Sequence, residues 1–185
     1  MATGRARTAP ARPGWERAGR HGHTPAVRRY QIVPGRSRID ITARPALPGV
    51  RLVIDEVSGS VELGDGGGDT ATGSLIMWVQ AIIEDPARAP GAPAWLRTGE
   101  PVAAEGRLER ARCADGQVEV GVRVRLDART VPFTGAGRIE HPHDDGDAID
   151  AVGITVVDPR TLGFALPPLV TYSLHTRWRL RLVPE

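Results

Sequence analysis

From Tyr172 to Val183 the chain alternates without a break, with Leu174, Thr176, Trp178, Leu180 and Leu182 at even positions and His175, Arg177, Arg179 and Arg181 between them. A period of two is what a strand needs to keep one face in a core and the other in water. A helix would bring Trp178 and Arg181 onto one stripe, an arrangement a buried face does not tolerate. The same period runs through Val118, Val120, Val122, Val124 and Leu126, opposed by Glu119, Arg123, Arg125 and Asp127. It appears again in Arg38–Ala43. Repetition of this pattern constrains the chain to an all-β fold.

Turn signals separate the alternating segments, and 22 glycines and 16 prolines supply them. Pro34-Gly35 follows Tyr30 and Ile32, and Pro48-Gly49 precedes Val50, Leu52 and Ile54. Asp55-Glu56 and Gly59 mark a bulge or bend before Val61 and Leu63. Asp115-Gly116 joins Ala104–Ala111 to Val118–Leu126 as a hairpin. Further strands are expected over Arg129–Glu140 and Ile149–Val157, with a turn at Asp158-Pro159-Arg160. Leu75–Ile83 is a near-continuous apolar run, read as a strand apolar on both faces, with a buried helix as the alternative. Residues 86–101 hold four prolines and Trp95, which predicts a long loop with one helical turn at 92–96. The glycine run 66–68 is a loop without the Lys or helix of a phosphate cradle.

This gives eight or nine strands, almost no helix and no internal repeat. Short connections favour an antiparallel meander, and closing it removes exposed edges. The expected fold is an eight- or nine-stranded lipocalin-like barrel, with a β-sandwich as fallback.

Charge divides the chain in two. All 24 basic residues are arginine, a composition that fits GC-rich coding. Residues 1–29 hold seven of them against the single acid Glu16, leaving 17 arginines and 21 acids in a mildly acidic remainder. Residues 1–28 have no periodicity and read as a disordered Arg/Pro/Gly-rich tail, and residues 29–185 as a single barrel domain. The basic pI belongs to the tail, and aromatics are 4% of the chain, so nucleic acid is not an expected partner. An anionic membrane surface is a candidate partner for the tail. Cys113 is the single cysteine, which leaves no intrachain disulfide. No apolar signal core and no run of membrane-spanning length occur, and Arg28-Arg29 is followed by Tyr30 and polar residues, a poor export signal. A cytoplasmic, membrane-peripheral protein is expected.

The order of these motifs resembles the YceI-like family, the polyisoprenoid-binding proteins. Tyr30–Ile39 is similar to that family's first hairpin, whose turn carries a His-Ser pair; Ser37 matches, and Arg36 stands in the place of the histidine. Val57-Ser58-Gly59-Ser60-Val61 resembles its Ser-Gly strand, and Thr130-Val131-Pro132 its Thr-x-Pro pair. Ile154–Phe164, with Arg160 and Gly163, looks like its closing element, and Arg177–Leu182 completes the order. The family's longer helical middle has no counterpart; residues 86–101 are a shorter, proline-rich substitute. The resemblance implies a lipocalin-like barrel whose apolar interior holds an isoprenoid, a quinone tail or another fatty chain, with no other cofactor.

Ile41, Leu52, Trp78, Val120, Val122, Phe133, Leu174, Trp178 and Leu180 are the expected lining of such a ligand. The same residues could equally pack against one another in a filled core, and a barrel of that kind would serve as an interaction or accessory subunit with a protein partner. The polar run from His141 to Asp147 makes His141 and His143 candidates for a metal, with a solvated hairpin tip as the plainer reading. Cys113 has no histidine near it in sequence, and His175 alternates outward among arginines. No nucleophile-elbow, paired-carboxylate or zinc-protease pattern occurs, and the protein is not expected to be an enzyme. Arg177, Arg179 and Arg181, with Arg123 and Arg125 across the sheet, form a candidate outer basic stripe.

Overall fold

In the computed structural model, which describes residues 27–47, 49–64, 72–83, 89, 91–141 and 147–185, nine strands form a single antiparallel sheet. They are β1 (Val27–Ile32), β2 (Arg38–Arg44), β3 (Val50–Gly64), β4 (Thr72–Ile83), β5 (Val102–Ala114), β6 (Gln117–Leu126), β7 (Arg129–Glu140), β8 (Ile149–Val157) and β9 (Ser173–Pro184). From β3 onward each strand pairs with its successor. The apolar run 75–83 is therefore a strand. Val27 and Arg28, which the sequence placed in the tail, pair with Gly64 and Leu63. Residues 1–26, the glycine run and His143 lie outside the described residues.

The ring closes through an interrupted strand. β1 and β2 lie end to end along β9, with Ile32 opposite Leu182 and Arg38 opposite Arg179. A 3-10 turn at Pro34–Arg36 breaks them apart. β1 pairs with β3 on its other side, which joins the two ends of the sheet. Counting the broken strand once, eight strand positions surround the barrel. Among the described residues no ladder joins β2 to β3.

The break is locked to β9 at Arg181. The Val33 N–H donates to the Arg181 carbonyl at 2.9 Å, and the Arg181 N–H donates to Ser37 Oγ at 3.0 Å. The Arg181 guanidinium is buried and meets Asp150 at 3.0 Å. The expected basic stripe is thus corrected. Arg181 is withdrawn from water beside the 33–37 break, and β6 pairs with β5 and β7, away from β9. Arg123 and Arg125 instead meet Glu109 at 3.0 Å and Glu105 at 2.8 Å. Such exposed pairs contribute roughly 0–1 kcal/mol each. At the closure, Arg29 bonds Glu62 and stands 3.5 Å from Glu185. The hydrogen bond that Arg29 donates to Glu62, with the charges of both acids, raises the Arg29 pKa above its usual value.

One end of the barrel is capped. The segment Gly91–Leu96 ends in a 3-10 turn at Ala94–Leu96, whose Trp95 and Leu96 are buried against Leu162 and Phe164. The Trp95 indole N–H donates to the Leu162 carbonyl at 3.2 Å, and the Ala165 N–H donates to Gly91 O at 2.8 Å. On the opposing segment, the Arg160 N–H donates to Asp158 Oδ1, capping a 3-10 turn that ends at Gly163 with φ 95°. Arg160 also donates to the carbonyls of Pro167 and Val170, at 2.7 and 2.9 Å, fixing the approach to β9. This gives the Arg-x-x-Gly element a structural task. The other end carries the β5–β6 hairpin, turned through Asp115 (φ 51°) and Gly116 (φ 74°).

Candidate functional site

Alternation around a closed sheet leaves one question, which is whether the inward side chains fill the space they enclose. They do not. A cavity of about 230 Å³ runs through the interior, walled by side chains from every strand position and by Trp95 from the cap. None of its lining residues is charged. A buried polar group without a partner would cost free energy, and here Thr155 Oγ1 accepts from the Trp178 indole N–H at 3.3 Å.

Eight of the nine expected lining residues face this space: Ile41, Leu52, Val120, Val122, Phe133, Leu174, Trp178 and Leu180. Trp78 does not. It is 44% exposed on the outside of β4, while Leu75, Met77 and Val79 of the same strand point inward. The correction has a physical reason that was present in the sequence. Ser74 and Gln80 share the parity of Trp78, whereas positions 75, 77, 79, 81 and 83 are all apolar, so the face with polar members is the wet one. The sequence reading also passed over Trp95, whose contribution depends on a loop folding back across the barrel end.

Trp178 is seated by two glycines. Gly153 lies directly across from it, and Gly137 lies beyond Gly153 on β7. A Cβ on Gly153 would stand 2.3 Å from the indole Cζ2, and one on Gly137 would stand 2.8 Å from Cη2. No other residue type leaves that space, so the ring lies against bare backbone and its edge enters the cavity.

The remaining candidates are scattered. His141 is exposed at the end of β7, and the rest of its proposed cluster up to Gly146 lies outside the described residues. Among the described residues, no three His, Cys, Asp or Glu side chains come together as a metal site. Cys113 is exposed at the end of β5. His175 faces outward, with its Nε2 3.0 Å from Ser173 Oγ. Among the described residues no helix is long and apolar enough to cross a membrane.

No family model and no curated protein matches this sequence. Among solved structures, the crystal structure of Burkholderia cenocepacia BcnA is similar in fold, with a TM-score of 0.58. The match covers 80% of this chain and 96% of that one, at 8% sequence identity. At that identity the likeness is one of fold, and it places the chain among proteins built on this barrel.

Proposed function

We propose that this protein is a non-enzymatic carrier or binding protein for one slender apolar chain, held lengthwise inside the barrel. The cavity carries the reading: about 230 Å³ enclosed by uncharged walls suits hydrocarbon and offers no carboxylate, imidazole or thiol for chemistry. At roughly 30 Å³ for a group the size of water, it accommodates about eight methylene-sized groups. Each buried methylene contributes about 0.8 kcal/mol, against which stands the cost of association. A longer isoprenoid or quinone tail therefore has one section inside the barrel and the rest outside the cavity. The motif resemblance to the YceI-like, polyisoprenoid-binding family supports the same choice of ligand.

Native mass spectrometry after incubation with a ten-carbon prenyl alcohol tests this reading. A one-to-one adduct is expected, lost when Leu180→Trp fills the cavity. Absence of any adduct, or an adduct indifferent to Leu180→Trp, contradicts it.

A second reading, an accessory subunit of a larger assembly, is favoured by the outer face of β4. Ile76, Trp78 and Ile82 are 42%, 44% and 41% exposed along one strand, a row that a partner would cover. A co-purifying subunit lost on Trp78→Arg, with the circular dichroism unchanged, would support this reading. A monodisperse monomer from both chains counts against it.

A further inference from the structure

A second cleft, of about 340 Å³, opens on the outside of the barrel where β2, β9 and β8 lie side by side. Its floor is the backbone of Thr155 and Thr176, directly paired residues whose side chains face the interior. Two cross-strand pairs on the outer face rise from that floor, Asp40 with Arg177 and Thr42 with His175. Arg44 closes the cleft on the β2 side and Ile154 on the β8 side.

The charges in this cleft do not balance. Asp40 is its one acid, and that carboxylate is held by Arg38, with Nε at 2.8 Å and Nη2 at 2.7 Å. The guanidinium groups of Arg44 and Arg177 meet no carboxylate among the described residues. Elsewhere on the barrel, arginines such as Arg29, Arg123, Arg125, Arg138 and Arg181 are paired with acids. Two unpaired forks beside one concavity, with the hydroxyl of Thr42 and the ring of His175 between them, match an anion that accepts several hydrogen bonds at once. Beside them stands an apolar shelf: Ile154 is 58% and Val156 56% exposed, and Val156 lies opposite His175 in the ladder.

We propose that this cleft binds an organic phosphate, its phosphate between Arg44 and Arg177 and its apolar substituent on Ile154 and Val156. The site is separated from the interior by the β8–β9 wall, so it stands or falls independently of the carrier reading.

The test uses the full chain, with butyl phosphate, inorganic phosphate and butanol as soluble probes. Vesicles of phosphatidylcholine with and without phosphatidic acid form a second arm, and both are run at low and at physiological salt, because exposed charges are screened. Butyl phosphate is expected to shift the amide resonances of Thr42, His175 and Arg177. Its affinity should fall about tenfold or more in the Arg44→Gln/Arg177→Gln double variant and stay unchanged in Arg107→Gln, an arginine on the outer face of β5. Inorganic phosphate should bind more weakly than butyl phosphate, by a margin that Ile154→Ser removes. Butanol should leave those three amides unmoved. Vesicle binding that needs phosphatidic acid and is lost in the double variant identifies the source as a bilayer headgroup. Binding of butyl phosphate without vesicle binding identifies a free ligand. No response to either phosphate, shifts confined to interior residues, or an equal loss in Arg107→Gln would overturn the proposal.

Discussion

The seat of Trp178 on Gly137 and Gly153 makes one residue answerable to three strands. Adding side-chain volume at Gly153 must push the indole off its backbone platform or force the strands apart. Gly153→Val should cost about 1–3 kcal/mol, the range for overpacking a filled site, and should move tryptophan emission to longer wavelength as the ring enters water. Urea denaturation and fluorescence read both, and unchanged stability with unchanged emission would refute the seat. Arg181 gives a second residue-scale prediction. Its side chain is 8% exposed and that of Asp150 is 18% exposed. Removing one member of a buried pair leaves the other charge uncompensated, so Asp150→Ala should cost about 3 kcal/mol, toward the low end of such losses. Nothing in the alternation distinguished Arg181 from Arg177 or Arg179. Its burial comes from Ser37 and Asp150, 144 and 31 residues away in sequence, and periodicity within one strand carries no information about such partners.

Individual strands were legible to differing degrees. β6 and β9 announced both their existence and their inward faces, because charged residues alternate with apolar ones along each, arginine with Glu119 in β6 and arginine with His175 in β9. β4 announced only its existence; its face had to be taken from Ser74 and Gln80. The division of one strand position into β1 and β2 left a weaker trace, the Pro34-Gly35 pair, since Pro lacks the N–H a ladder needs. The cap was legible as a proline-rich loop with one helical turn, whereas its docking onto Leu162 and Phe164 was not. These two tryptophans allow the element-scale account to be checked directly. Trp95→Ala should cost about 3–5 kcal/mol, as for a large aromatic lost from a core, and should loosen the capped end. Trp78→Ala, on the outside of β4, should stay within about 0.5 kcal/mol of the parent. Comparable losses at both sites would contradict the assignment of their faces.

At the scale of the whole molecule, closure is what turns a patterned sheet into a container. The rim of β1 joins β3 to β9, the segments around Trp95 and Leu162 close one end, and the aliphatic inner face leaves an unfilled core about eight methylenes in size. The volume of that core depends on barrel circumference and on where Gly137, Gly153 and Trp178 meet, and local pattern fixes neither. Isothermal titration with straight-chain alcohols of four to fourteen carbons tests the container claim most directly. Affinity should rise about fourfold per methylene, the equivalent of 0.8 kcal/mol, until the chain reaches about eight carbons, and flatten beyond. A flat series, or one that climbs steadily to fourteen carbons with no break, would contradict a bounded apolar cavity as the binding site.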